Sequence, residues 1–163
     1  MARRSWGIAL AAVLMVGLLI GWVVRSRRDG GEPLARPGLE EARARWDSAG
    51  VTDYDFELVL SGSLEDTRLV EVRGGEVVGM RAGGAPVPEA AWIYWSIEGL
   101  FDSLATELSN LSQPKRSFGV DDPAQVHLRV EFDPVRGYPT YFLRHVMGTQ
   151  QSVEWRVVHF DEK

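Results

Sequence analysis

The sequence predicts an α+β protein with an N-terminal transmembrane helix, followed by one mostly antiparallel sheet of about six strands with two helices packed on one face. Three observations predict this class. Residues 6–24 carry no charge and are mostly apolar, two later segments repeat apolar residues at helical spacing, and six segments are predicted as strands from alternation, from β-rich runs or from the turns beside them. Short turns between the strand segments favour antiparallel neighbours.

The stretch from Trp6 to Val24 is nineteen residues long and has arginines on both sides. A helix of this length spans about 28 Å, close to the hydrocarbon thickness of a bilayer. Trp6 and Trp22 lie near its ends, where indole rings favour the membrane interface. A cleavable signal usually has a shorter apolar core, of about 7–15 residues, followed by a small-x-small site. This run instead ends in Arg25-Ser-Arg-Arg28, so an uncleaved anchor is predicted.

The chain is therefore divided into four parts. Residues 1–5 are a short tip on one side of the membrane, 6–24 the transmembrane helix, 25–38 a tether and 39–163 an α+β domain. The tether is predicted because its glycines, prolines and charges show no apolar periodicity. The charges that flank the anchor are nearly balanced, so the positive-inside rule alone does not fix the orientation.

Both helices of the domain are predicted from apolar residues at helical spacing. The first covers Leu39 to Gly50, with Trp46 as its main core anchor and Gly50 as a stop signal. The second begins after Ser96, a favourable N-cap residue, and its apolar stripe runs from Ile97 to Leu111.

Two of the strands, Tyr54 to Leu60 and Val126 to Phe132, are predicted from alternation with a period of two, and the other four from β-rich runs or from the turns that bound them. Their segments are Tyr54 to Leu60, Arg68 to Arg73, Glu76 to Arg81, Val126 to Phe132, Thr140 to Met147 and Ser152 to Phe160. Gly74 and Gly75 predict a tight hairpin in which Arg73 faces Glu76, because both central positions of such a turn need a positive φ. Residues Asp133 to Pro139 form the turn before the fifth strand.

Composition excludes several classes of function. From Asp29 onward the chain has 13 basic and 23 acidic residues, a net charge of about −10. Such a surface repels nucleic acid, which argues against DNA or RNA binding. The absence of cysteine excludes disulfides, thiolate metal sites and a cysteine nucleophile. No cofactor is expected.

The titratable residues form no recognisable catalytic or metal-binding motif. His127, His145 and His159 are separated by eighteen and fourteen residues, which is not a metal-ligand spacing, and they are interpreted as exposed surface residues. No nucleophile elbow or phosphate loop is present. An enzyme alternative, a small envelope hydrolase or metal-dependent enzyme, would place His127, Arg129 and Glu131 on one exposed sheet face.

Three side chains are candidate partner contacts: Tyr94, Arg136 and Tyr138. Tyr94 belongs to the aromatic cluster Trp92, Tyr94 and Trp95, where alternation predicts it to be the most exposed member, and tyrosine is enriched in binding hot spots. Arg136 and Tyr138 flank Gly137 in a turn restricted by proline. The structural alternatives are that the cluster seats the second helix on the sheet and that the turn sets the register of its strands.

Several segments, taken in order, carry a resemblance. They are Trp46, Tyr54-Asp-Phe56, Val70 to Val77, Ser96 to Phe101, Val130 to Asp133 and Gly137 to Thr140. Together, over Leu39 to Phe160, they resemble a bacterial family of secreted or membrane-tethered proteins described only as a domain of unknown function. The chain departs from the family in lacking cysteines after the first strand and in having Gln151-Ser-Val-Glu154 where members often have Asp-Asp-Glu.

The resemblance implies that the domain is extracytoplasmic and that residues 1–5 lie in the cytoplasm. It implies no particular reaction. The sequence then predicts a single-pass protein of the inner or plasma membrane, anchored by Trp6 to Val24. Its expected function is a non-enzymatic protein-interaction or envelope module with a protein partner. A cytoplasm-facing tethered domain is the other alternative.

Overall fold

Residues Glu32–Lys163 fold into a unit that contains both helices and strands. The computed structural model describes residues 30–63 and 65–163. In chain order the elements are β1 (Glu32–Pro33), α1 (Arg36–Ala49), β2 (Tyr54–Gly62), β3 (Asp66–Arg73), β4 (Glu76–Ala82), β5 (Ala85–Pro86), α2 (Ile97–Asn110), α3 (Pro114–Phe118), β6 (Val126–Phe132), β7 (Pro139–Val146) and β8 (Ser152–Glu162).

The strands form one antiparallel sheet in the order β1-β6-β7-β8-β2-β3-β4-β5. Strands β2, β3 and β4 form one meander and β6, β7 and β8 form another, with α2 and α3 between them along the chain. The last strand, β8, pairs with both β7 and β2 and so joins the two meanders. The predicted Gly74-Gly75 hairpin is confirmed, since both residues have positive φ and Arg73 is the register partner of Glu76.

The predicted architecture is corrected in three respects. The described sheet has eight strands rather than six, because β1 and β5, of two residues each, are too short to show alternation. A third helix, α3, forms in addition to the two predicted helices, and its five residues are too few to show helical periodicity. Among residues 30–63 and 65–163 no helix is long and apolar enough to cross a membrane. The predicted transmembrane helix, Trp6 to Val24, lies outside the described residues.

The two short strands lie at the two edges of the sheet. Pro33 of β1 pairs with β6, and Pro86 of β5 pairs with β4. Proline cannot donate a ladder hydrogen bond, so both edges offer a poor template for a further strand. Leu34 follows β1, is buried, and its backbone N–H donates to the carbonyl of Leu128 at 3.0 Å. Residues 32–38, predicted as part of a tether, therefore belong to the folded unit, and α1 begins at Arg36.

The core lies between α1, α2 and one face of the sheet. Trp46, the predicted anchor of the first helix, is 3% exposed. The buried residues of α2 are Ile97, Gly99, Leu100, Phe101 and Leu104, and those of the central strands include Tyr54, Phe56, Leu58, Val70, Val72, Phe142 and Trp155. The opposite face of the sheet carries mostly charged and polar side chains. An antiparallel sheet tolerates this arrangement because its two faces alternate along every strand.

One polar junction ties the two main helices to the sheet. Glu98, in the first turn of α2, accepts hydrogen bonds from Trp46 Nε1 at 3.0 Å and from Tyr54 Oη at 3.1 Å. The same tyrosine oxygen accepts from the backbone N–H of Ile97 at 2.9 Å. Burial raises the pKa of Tyr54 well above its ordinary value. Ser96 caps α2 as predicted, its hydroxyl accepting from the N–H of Gly99 at 3.1 Å.

Candidate functional site

The segment Trp92–Trp95, here called the aromatic segment, presents its two middle side chains to solvent. Ile93 is 75% exposed and Tyr94 is 59% exposed, whereas Trp92 and Trp95 pack against the core. The exposure predicted for Tyr94 is confirmed, and that of Ile93 was not predicted. Two adjacent, large apolar side chains in solvent are unusual enough for a small domain to mark a candidate binding surface.

The outer residues of the aromatic segment hold it in place. Trp92 Nε1 donates to the carbonyl of Val87 at 2.9 Å, and the N–H of Trp95 donates to the carbonyl of Trp92 at 3.0 Å. The Arg68 guanidinium lies 3.7 Å from the centroid of the Trp95 ring, and Asp66 pairs with that guanidinium at 3.1 Å. Both ends of the segment are thereby anchored, so the middle residues are held outward.

A glycine of α2 lets the aromatic segment lie directly on the helix. A Cβ placed on Gly99 would lie 2.6 Å from the backbone carbonyl carbon of Tyr94 and 2.8 Å from its Cα. No real Cβ contact is that short, so any side chain at this position would displace the segment or the helix. This close approach explains why residue 99 is glycine, although glycine in a helix is less favourable than alanine by about 1 kcal/mol.

The turn from Asp133 to Pro139 is closed by its own backbone and by one carboxylate. Asp133 Oδ1 accepts from the N–H groups of Val135 at 3.0 Å and Arg136 at 2.6 Å. The Asp133 carbonyl accepts from Gly137 at 2.9 Å, and the Asp133 N–H donates to the Tyr138 carbonyl at 2.8 Å. The described peptide bonds, including the one before Pro139, are all trans.

This turn packs closely against α1. Gly137 has φ of +86°, and a Cβ there would overlap the carbonyl oxygen of Ala42. The Tyr138 ring stacks on Phe160 with centroids 4.4 Å apart and meets the edge of Trp46 at 6.1 Å. Burial raises the pKa of Tyr138. The geometry favours the structural interpretation of the turn over a contact role for Tyr138.

Arg136 forms an ion pair at the surface. Its Nη2 donates to Glu162 Oε2 at 2.8 Å, and the two side chains are 42% and 46% exposed. An ion pair this exposed contributes little to stability. Arg136 therefore stays a candidate contact residue on geometry, although its guanidinium already has a partner in β8.

The residues of the enzyme alternative lie on the open face of the sheet. His127, Arg129 and Glu131 occupy alternate positions of β6, and His127 is exposed. Glu131 faces Arg156 at 3.6 Å, and that guanidinium lies 4.3 Å from the centroid of the Tyr141 ring. This is a solvated row of charges rather than a pocket. In the part of the chain that the structure describes, no three His, Asp or Glu side chains converge as metal ligands.

Sequence reasoning missed one juxtaposition on that face. His127 of β6 and His145 of β7 are register partners, directly opposite each other. Counting back from the Phe132 and Pro139 pair without a bulge would instead pair His127 with Arg144. The register shifts by one residue between Glu131 and Phe132, and that bulge places the two histidines opposite each other on one face. The polar sequence of the turn gives no sign of this shift.

A shallow polar depression of about 250 Å³ lies where α2 ends and α3 begins. It is lined by Ser109, Asn110, Ser112, Gln113, Arg116 and Ser117. These are hydroxyl, amide and guanidinium groups, without a carboxylate or an imidazole that could exchange protons near neutral pH. The depression therefore offers no general acid or base.

Comparison of the chain with protein-family models, with curated proteins and with solved structures finds no match. The resemblance to a bacterial domain of unknown function stays a prediction.

Proposed function

We propose that the folded domain is a non-enzymatic protein-interaction module that binds its partner through Ile93 and Tyr94 of the aromatic segment. The observation that carries the proposal is the exposure of these two side chains, 75% and 59%, on a backbone anchored at both ends. An enzyme is less well supported, since His127, Arg129 and Glu131 lie along an open strand face.

Preorganisation is the physical argument for binding. Ordering a loop when a complex forms costs free energy, and a segment that is already ordered avoids that cost. The Trp92 and Trp95 contacts and the close packing on Gly99 supply this order before any partner arrives. Tyrosine in a rigid setting is a frequent hot-spot residue, because its ring buries a large area with few rotatable bonds.

The expected partner has an apolar pocket with a positively charged rim. The pocket would accept Ile93 and the Tyr94 ring. The charge follows from the domain, which carries about ten more acidic than basic residues from Asp29 onward. Complementary charge raises the rate of association and disfavours acidic partners. Tyr138 is not included in the proposed surface, because its ring stacks on Phe160.

The test begins with a photo-crosslinking amino acid at position 94 of the full chain, expressed in its native cell. Val158 of β8 is the control position, since it is 52% exposed and lies outside both the aromatic segment and the Asp133–Pro139 turn. We expect a specific protein adduct from position 94 and none from position 158. The adduct identifies a partner, which is then purified for binding measurements.

Substitution then measures the contribution of each side chain. We expect Tyr94→Ala to weaken the affinity for the purified partner at least tenfold, which corresponds to about 1.4 kcal/mol. Val158→Ala should change this affinity less than twofold. Thermal melting of each variant shows whether the fold is intact. Equal losses at the two positions, or no loss at Tyr94, would contradict the proposed surface.

A further inference from the structure

We propose that His127 and His145 form a binding site for one divalent late transition metal ion, of the class Cu²⁺, Ni²⁺ or Zn²⁺. The site lies on the open face of the sheet and is independent of the aromatic segment. The observation that carries it is the direct register pairing of the two histidines across β6 and β7. Both side chains are exposed, so an ion reaches them without any rearrangement of the core.

The spacing of directly opposed residues suits two imidazoles on one ion. Cross-strand partners in an antiparallel pair have Cβ atoms about 4.5–5.5 Å apart. A histidine nitrogen binds these metals at about 2.0–2.1 Å. Two imidazoles that project from neighbouring strands on the same face can therefore converge on a common point above the sheet, and the paired backbone fixes their separation.

Ligand chemistry selects the class of ion. Imidazole nitrogen suits zinc, copper and nickel, whereas Ca²⁺ and Mg²⁺ prefer oxygen ligands. Copper is expected to bind most tightly, as divalent ions follow a common affinity order at nitrogen sites. Two protein ligands leave the other coordination positions to water, since the described residues provide no cluster of three His, Asp or Glu ligands.

The neighbours on the open face define the surroundings of the pair. Ser152 of β8 is the register partner of His145 on its other side. Glu154 lies two residues further along β8, and Arg129 lies two residues further along β6. One carboxylate and one guanidinium flank the site, so the local charge does not by itself exclude a cation.

The third histidine provides a matched control. His159 is exposed on β8, and its register partner is Glu57 of β2 rather than a second histidine. It lies on the same face of the same sheet, with the same side chain. A site that depends on the histidine pair must be insensitive to replacement of His159.

Calorimetric titration of the full chain with Ni²⁺, Cu²⁺ and Zn²⁺ tests the proposal. We expect one ion per chain, an affinity at least tenfold weaker in His127→Ala and in His145→Ala, and a change below twofold in His159→Ala. Electron paramagnetic resonance of bound Cu²⁺ should show coupling to two imidazole nitrogens, reduced to one in either single variant. Ca²⁺ and Mg²⁺ should give no heat of binding.

Several results would overturn the site. They are an absence of binding at millimolar metal, binding unaffected by both single variants, and binding lost in His159→Ala. One ion per two chains would also overturn it, because the ion would then be held between two chains rather than by the histidine pair of one chain. Should an alanine variant unfold, His127→Gln and His145→Gln take its place, since glutamine keeps a polar side chain of similar size and removes the imidazole ligand.

Discussion

The aromatic segment and the Asp133–Pro139 turn are both connections that lie against a helix, but they use their aromatic side chains in opposite ways. In the first, the glycine is on the helix: Gly99 admits the backbone of Tyr94, and the Tyr94 ring is left in solvent. In the second, the glycine is in the connection: Gly137 approaches Ala42 of α1, and the Tyr138 ring turns inward onto Phe160. Close backbone packing fixes both connections, and only the first leaves its aromatic ring available.

The largest effect is expected at Gly137. Gly137→Ala should lower the free energy of unfolding by about 3–5 kcal/mol, because it adds left-handed strain to overlap with the Ala42 carbonyl. Urea denaturation of the variant measures the loss. Gly148→Ala is the matched control, with φ of +77° and no atom within 4 Å of the new Cβ. Equal losses for the two variants would show that strain alone, without the helix contact, fixes this turn.

The next effect is expected at Tyr138. Tyr138→Ala should lower the free energy of unfolding by about 2–3 kcal/mol. This is less than the loss for truncating a fully buried aromatic residue, because Tyr138 is half-buried. The loss comes from the stacking on Phe160 and the edge contact with Trp46. The same denaturation measurement applies. A loss below about 0.5 kcal/mol, the range of ordinary surface substitutions, would restore the ring as a candidate partner contact.

At Gly99 the sign of the effect is informative. Replacing a helical glycine by alanine ordinarily raises the free energy of unfolding by about 1 kcal/mol. We expect Gly99→Ala instead to lower the free energy of unfolding by about 1–2 kcal/mol, because the new Cβ overlaps the Tyr94 backbone. Gly38→Ala in α1 is the control, as its Cβ would meet no atom within 4 Å and should stabilise the fold. If both variants were more stable than the original chain, the aromatic segment would not be held by this contact.

The smallest effect on stability is expected at Tyr94. Tyr94→Ala should change the free energy of unfolding by less than about 0.5 kcal/mol, because most of the ring is in solvent. Its effect should be on partner affinity alone, in contrast to Tyr138→Ala. Parallel measurements of melting and of binding separate the two roles. A clear drop in melting temperature for Tyr94→Ala would remove the contrast between the two connections.

The sequence by itself determined those features that depend on neighbours along the chain. Apolar spacing located both main helices and the strands β2 and β6, and β-rich runs and turns located the other long strands. Trp46 was identified as a core anchor and Ser96 as the cap of α2. Gly74 and Gly75 determined a tight hairpin turn and the pairing of Arg73 with Glu76 beside it. Each of these follows from side-chain spacing, local hydrogen bonds or allowed φ values, which act over a few residues.

Only the tertiary structure decided what depends on distant residues. The short edge strands form because β4 and β6 offer pairing groups, and the two-residue segments have no detectable pattern of their own. Tyr138 points inward because Trp46 and Phe160 meet there from other elements. His127 faces His145 because a one-residue bulge shifts the register of β6 against β7. Local propensities do not encode such pairings, since a single-residue shift moves a whole set of side chains to the other face of the sheet.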